Sequence, residues 1–471
     1  MKVTTRHISA VAIAVASALN FIGLLLWTRL LTPVDFGVYT LVSATSLLVN
    51  AFVFEWLRQT GARLLFSAAD PLELDPQTSN TLAAICLMLA TVLGLVALLM
   101  WIAQLRIFGL APYWWLLIWL WVLSEMLFAL CSITARLRLL SWRFFWLMTL
   151  RAAVSLALGA GLVAVFDLGA LGVTVGTIAA QFAISIVAAV TDAAWKRIRP
   201  WRATYGEARK ILDFGLPLIL STGLVFLAGI SDRYIISATL GIEATGQYSV
   251  ASDLMQKTVI FVMLAINITA YPQIVRAFES QGNQEGARRL AQNFETLLLV
   301  SLPVAVTFGV MSHGLARLFV GAAFEDSMAL LLPWVAVAAV MRGLMTFHLS
   351  VALQAVKKTR ILVAAPLITL AVLIPAGLIG VKLNGLQGVA ISVAFAQTAS
   401  FVIFARIVGK NVGVSMLSRG SVLAVVLAFA LGVGLLPFRS VTETVNLIGV
   451  ISAALLLYGL VAWRFKVATF R

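Results

Sequence analysis

Residues 229–257 read GISDRYIISATLGIEATGQYSVASDLMQK. Most of this stretch suits lipid, and it lies among longer apolar runs. An ionised side chain at bilayer depth costs roughly 2.5–3.5 kcal/mol on insertion scales. Yet Asp232, Arg233, Asp253 and Lys257 sit inside or beside those runs. If the runs are membrane spans, the four charges need a purpose or a partner.

Composition settles the first half of that condition. The chain has 471 residues, of which 62% are hydrophobic and 11% charged, and its mean hydropathy is +1.02. Soluble domains carry about 25% charged residues, so the sequence is that of a polytopic, all-α membrane protein without room for a large soluble domain. The net charge of +15 would suggest nucleic acid in a soluble protein. Here the basic residues fall in loops between apolar runs, so no nucleic-acid partner is expected. Cys86 and Cys131 lie in apolar runs, and His7, His313 and His348 are scattered. Neither a disulfide framework nor a metal site is expected, and no cofactor. The apolar run 8–31 is longer than the roughly 7–15 residues of a signal-peptide core and reads as an uncleaved first span.

Runs of about 17–25 apolar residues predict spanning helices. Fourteen occur, near 8–31, 38–57, 81–103, 113–134, 145–166, 169–190, 212–238, 247–272, 294–313, 328–352, 361–381, 386–408, 418–437 and 445–463. Backbone satisfaction in lipid demands helices here, because the alternating pattern of a barrel is absent. With a cytoplasmic N-terminus, inside segments hold 26 Lys and Arg, outside segments five, and Arg233, Lys257 and Arg342 fall within spans. One span too many or too few would destroy that alternation, which predicts fourteen spans with both termini inside. Segments 58–80 and 196–211 are long enough for interfacial helices, and Trp195, Trp201 and Tyr205 among Lys and Arg suit a headgroup layer.

The sequence also repeats itself. LLTPVDFGVYTLVSA (30–44) is echoed by TLGIEATGQYSVASD (239–253), aligning Gly37 with Gly246, Tyr39 with Tyr248 and Ser43 with Ser252. DLGALGVTVGTIAAQ (167–181) is echoed by LNGLQGVAISVAFAQ (383–397), aligning Gly169 with Gly385, Gly172 with Gly388 and Gln181 with Gln397. The echoes fall in the same places of two six-span halves. Six is even, so the halves are expected as parallel repeats. The expected organisation is an N-terminal lobe over 1–195, a basic cytoplasmic linker over 196–211, a C-terminal lobe over 212–410, and two added helices over 411–471.

At this point a resemblance emerges. FGLPLILSTGLVFLAGISDRYIISATLGIEATGQYSVASDL (214–254) resembles the start of the C-terminal half of polysaccharide flippases. These belong to the multidrug/oligosaccharidyl-lipid/polysaccharide exporter superfamily. NFIGLLLWTRLLTPVDFGVYTLVSA (20–44) resembles the family's opening TRLL-P-(D/E)-FG-Y pattern. The resemblance covers the whole chain and implies a flippase, not an enzyme. Its substrate would be a polyprenyl-diphosphate-linked glycan, its site the bacterial inner membrane, and its partners a glycan polymerase and glycosyltransferases. It also implies a cavity between two lobes, often cationic, that matches the diphosphate.

Arg29, Arg233, Lys257 and Arg342 are the candidate substrate-binding cations. Arg342 lies mid-span, where a lone arginine should face protein or water, and its guanidinium can grip phosphate bidentately. Arg29 matches the family motif's arginine. Glu125, Asp232 and Asp253 are candidates for ion coupling or for holding the basic residues in place. Asp253 and Lys257 are spaced i,i+4 with the acid first, which also allows a self-neutralised pair on one helix face. Asp232 and Arg233 align with Gly23 and Leu24 in the first repeat, so these charges are additions to one lobe. Buried amides such as Gln181 and Gln397 suit interhelical hydrogen bonds. Without a nucleotide motif, the expected driving force is the membrane potential, about 2.3 kcal/mol per charge per 100 mV, or an ion gradient.

Rival readings are a lipid II flippase, a multidrug or cation antiporter, a glycan polymerase or ligase, and a non-transporting scaffold. An antiporter would favour an acidic cavity. A polymerase or ligase would want a large outer loop bearing Arg or His, and the outer loops here are short. A scaffold would not need charges at depth.

Overall fold

The computed structural model describes residues 2–65, 74–412 and 418–464. Its elements are helices: α1 (Lys2–Leu30), α2 (Pro33–Val53), α3 (Glu55–Leu64), α4 (Pro76–Ile102), α5 (Trp114–Leu137), α6 (Ser141–Phe166), α7 (Gly169–Thr191), α8 (Ala193–Lys196) and α9 (Tyr205–Leu240). The series continues with α10 (Ile242–Met255), α11 (Phe261–Ser280), α12 (Asn283–Val310), α13 (Ser312–Phe319), α14 (Glu325–Leu344), α15 (Ser350–Ala355), α16 (Ala364–Val412), α17 (Arg419–Leu435) and α18 (Thr444–Arg464). A π-helical turn over Gln256–Ile260 joins α10 to α11, and another over Met345–Leu349 joins α14 to α15.

Among the described residues, thirteen helical stretches are long and apolar enough to cross a membrane. The stretch Thr359–Val412 is broken at Asn384 and Gly385, whose backbones leave the helical region. Each arm of that break is long enough to span, which restores the fourteen segments read from the sequence. The protein is therefore a polytopic membrane protein. The part of segment 58–80 that is described belongs to α3 and the start of α4. Residues 66–73 lie outside the described residues. Segment 196–211 holds the end of α8, a short turn of 3-10 helix over Pro200–Arg202 and the start of α9, joined by non-helical residues.

Local chemistry places the helix starts. The run Thr32-Pro33-Val34-Asp35 opens α2, with the Asp35 N–H donating to Thr32 Oγ1 at 3.1 Å and the Thr32 hydroxyl donating to Asp35 Oδ2 at 2.7 Å. Proline at the first helical position forfeits a donor that would be unsatisfied anyway. Asp75 caps α4 by accepting from the Thr78 N–H at 2.7 Å. Ser418 and Ser421 cap α17 reciprocally.

Contacts divide the chain into two compact units, residues 1–230 and 231–471, the division falling within α9. In the first unit α6 packs along α1 and α7, and α5 joins α2 and α7. Ala12, Phe128, Cys131, Phe144, Leu147 and Ala188 form one of its cores. Bare glycines allow this packing: a Cβ on Gly176 would lie 2.6 Å from the backbone nitrogen of Gly159. In the second unit α14 packs against α10, α12 and α16, and Leu349, Leu353, Phe404 and Val408 share a core. Large apolar side chains such as Leu99, Phe166 and Phe395 stand exposed, as lipid-facing surfaces require.

Gly169 and Gly385, matched by the sequence repeat, have φ of +48° and +50°. Both stand at the tight turn before a spanning helix, where a left-handed backbone favours glycine. Their successors Gly172 and Gly388 also match in use, each lying against the preceding helix. The second echo is thus a matched pair of helix hairpins in the two units.

Candidate functional site

The densest buried charge belongs to the second unit. It begins with Asp232 and Arg233, neighbours on α9 that lie 1% and 8% exposed. Successive helical positions do not face each other, and the two carboxylate and guanidinium groups have separate partners. Asp232 Oδ2 accepts the Tyr248 hydroxyl at 2.7 Å, and its Oδ1 accepts the Arg233 backbone N–H at 2.9 Å. The Arg233 guanidinium donates to Asp253 of α10, forming an ion pair. Asp253 therefore bridges two helices, which its i,i+4 spacing to Lys257 does not by itself indicate. In the repeat, Tyr248 is the counterpart of Tyr39, whose ring lies 6.1 Å from that of Trp121. The same aromatic position is spent on ring packing in one unit and on a carboxylate in the other.

Lys257 and Arg342 extend this group. Lys257 stands exposed within the first π-helical turn, in electrostatic reach of Asp253 and Arg233. Arg342 is half-buried on α14, which packs on α10, and its charge reaches Tyr248. The structure thus gathers five of the seven site residues read from the sequence: Asp232, Arg233, Asp253, Lys257 and Arg342. Three cations against two acids leave positive charge in excess. Arg233 is enclosed and committed to Asp253, whereas Lys257 and Arg342 are the more accessible members.

Arg29 and Glu125 belong to the first unit. Arg29 is exposed at the end of α1. Glu125 on α5 accepts the Gln181 amide at 2.6 Å, and the Ser124 hydroxyl donates to Gln181 Oε1 at 2.5 Å. Gln181 therefore ties α5 to α7. Arg151, inside α6, lies 3.6 Å from Glu125 and places its guanidinium 4.6 Å above the Phe128 ring. The sequence reading counted Arg151 among loop cations and missed this pair. Its position six residues into the apolar run 145–166 was the available signal. In the first turn of α3 the first unit also pairs Arg58 with Glu55. Donation of its guanidinium to the Glu55 carboxylate raises the Arg58 pKa above its ordinary value against the opposing cost of burial, and the charges of Glu55 and Glu125 add to the effect.

Comparison with known proteins identifies the fold and the family. A search of curated proteins found no match. The lipid II flippase MurJ, in an inward closed conformation, is similar in fold with a TM-score of 0.69 at 14% identity, over 97% of this chain and 99% of that one. An inward-facing multidrug resistance MATE transporter of the MOP superfamily is similar with a TM-score of 0.66 at 14% identity, over 86% and 98%. A MOP superfamily transporter from Pyrococcus furiosus is similar with a TM-score of 0.52 at 13% identity, over 87% and 93%. These likenesses show the fold. The profile of the polysaccharide biosynthesis protein family matches residues 26–329, a span holding six of the seven residues above. The chain belongs to the polysaccharide biosynthesis protein family.

Proposed function

We propose that the protein is a flippase that carries a polyprenyl-diphosphate-linked glycan from the cytoplasmic to the outer leaflet of the bacterial inner membrane. The observation that carries this reading is the cationic excess of the Asp232–Arg233–Asp253–Lys257–Arg342 group, set on three neighbouring spans of a transporter fold. Lys257 and Arg342 are the residues assigned to the diphosphate. Arg342 supplies a planar fork and Lys257 a point charge. Arg233 and Asp253 hold one another, and Asp232 is held by Tyr248, so this trio positions the binding residues.

Glu125 is the residue proposed for ion coupling. It is held from two neighbouring helices, by the Gln181 amide and by Arg151. Transport would proceed by alternating access, driven by the membrane potential or an ion gradient, with both termini in the cytoplasm. Glycosyltransferases supply the lipid-linked substrate and a polymerase consumes it.

The test is a deletion strain probed for lipid-linked repeat units on each leaflet. Accumulation on the inner leaflet is expected, with rescue by the wild-type gene but not by the Lys257→Ala, Arg342→Ala double variant. A strain with normal surface glycan and impaired cell-wall precursor export would instead assign the protein to lipid II.

A further inference from the structure

The two π-helical turns are the feature that the charges alone do not explain. In an α-helix each carbonyl meets the N–H four residues on. A π turn carries the bond to the fifth residue, is rare, and loosens the ladder around an extra residue. In a lipid interior loosened backbone groups need other partners. The turn over Met345–Leu349 has them: the Ser350 hydroxyl donates to the Met345 carbonyl at 2.9 Å, and the Asn293 amide of α12 donates to the Phe347 carbonyl at 3.1 Å. Within the turn, the Thr346 hydroxyl donates back to the Arg342 carbonyl at 3.0 Å. In the turn over Gln256–Ile260, the Thr258 hydroxyl donates to the Leu254 carbonyl at 2.8 Å.

Two further observations single out this region. Asn293 and His348 are 5% and 1% exposed, and among the described residues neither Asn293 Oδ1 nor His348 Nδ1 has a hydrogen-bond partner. The His348 ring instead packs at a tilt of 39° against Phe294, centroids 4.6 Å apart. Buried amides and imidazoles with an unused acceptor are poorly satisfied where they stand. The two spans also meet at a bare glycine: a Cβ on Gly343 would lie 2.1 Å from Met263 Sδ. Gly343 and Met263 are each within a few residues of a π turn, so the two turns share one close-packed seam.

Both assigned diphosphate contacts sit on these turns. Lys257 is inside the first, and Arg342 lies three residues before the second. Moving the extra residue past either cation would rotate it by about 100° around its helix and advance it by about 1.5 Å. We infer that the paired π turns of the eighth and tenth spans are migrating bulges that re-aim Lys257 and Arg342 during transport, with Asn293 and Ser350 as positioning residues that hold the second bulge in the conformation described. This rests on the reading of Lys257 and Arg342 as diphosphate contacts. The unused acceptors of Asn293 and His348 are groups that a second bulge position would satisfy.

Deletion of Thr346 tests it. The residue is exposed, and removing the extra residue turns the π turn into plain α-helix while leaving both flanks in register. Full-length protein in vesicles would carry spin labels at Ala323→Cys and Lys357→Cys, with a polyprenyl diphosphate as the probe. The wild type should show a distance distribution that shifts on adding the probe. The deletion variant should show one narrow, unshifted distribution, bind the probe within about threefold of wild type, and flip lipid-linked glycan at least tenfold more slowly. Flipping within twofold of wild type, or an unchanged shift, overturns the inference. Should the deletion variant fail to accumulate, the Asn293→Leu, Ser350→Ala double variant keeps the chain length. A broadened distribution with altered flipping supports the inference, and wild-type behaviour in both overturns it. If wild-type protein neither binds the diphosphate nor flips glycan, the function assigned above fails, while the label distances of unliganded wild type and deletion variant still decide whether the bulge moves.

Discussion

At the residue scale, Tyr248 is the position whose role changed most between sequence and structure. Its alignment with Tyr39 marks it as scaffold, and its hydroxyl proves to be committed to Asp232. Tyr248→Phe should leave a buried carboxylate oxygen without its partner, which costs about 1–3 kcal/mol. Thermal unfolding of detergent-solubilised protein should show a lowered midpoint with the fold otherwise intact. Arg342→Lys keeps the charge and loses the fork. Charged hydrogen bonds contribute about 1.5–3 kcal/mol, so affinity for a polyprenyl diphosphate should fall by about ten- to a hundredfold, read from equilibrium binding. The charges themselves were legible because ions inside apolar runs stand out. Their pairing was not, because Arg233 and Asp253 meet across helices and spacing along one chain carries no information about a neighbour. Glu125 was legible as an isolated acid, whereas its pairing with Arg151, six residues into an apolar run, is made across helices and leaves no mark in the spacing.

At the element scale, hydropathy marks spans well and their ends poorly. The start of α2 falls at Pro33, five residues before the apolar run that predicts it. The Thr32-Pro33-Val34-Asp35 cap carries that boundary and is polar, so a hydropathy reading passes over it. The break at Asn384–Gly385 was readable as a short gap between apolar runs. The π turns were not, since Gln256–Ile260 and Met345–Leu349 contain neither proline nor glycine and keep an ordinary helical composition. The glycine repeat offers a sharp test. A Cβ on Gly388 would lie 2.0 Å from the Gly380 carbonyl oxygen, backbone that cannot step aside, whereas one on Gly161 would meet nothing within 4 Å. Gly388→Ala should sharply reduce the folded yield in membranes and Gly161→Ala should not, as measured by monodisperse protein recovered after extraction.

At the scale of the whole molecule, the distribution of basic residues makes a topological prediction. Tyr205 and Arg439 are exposed in connections assigned to opposite sides of the membrane. An impermeant thiol reagent on intact cells should label Arg439→Cys, and should label Tyr205→Cys only after the cells are opened. The opposite pattern would invert the proposed orientation. Fold class and span number were open to sequence reading because lipid imposes a composition on every span. The division of labour between repeats was open only in outline, because an echo in sequence preserves backbone shape and not side-chain partners.

The connections within the two matched hairpins have a mechanical consequence. Only Asp167 and Leu168 separate α6 from α7, and the arms of α16 are separated by Asn384 and Gly385 alone. Glycines also bring backbone against backbone within each hairpin, at Gly159 and Gly176 in the first and at Gly380 and Gly388 in the second. A connection of two residues offers no slack, and a glycine seam offers no room to slide. Each hairpin therefore counts as a single lever with one set of rigid-body freedoms, and any stroke of the transporter must be taken up elsewhere, in elements that carry a joint partway along their length.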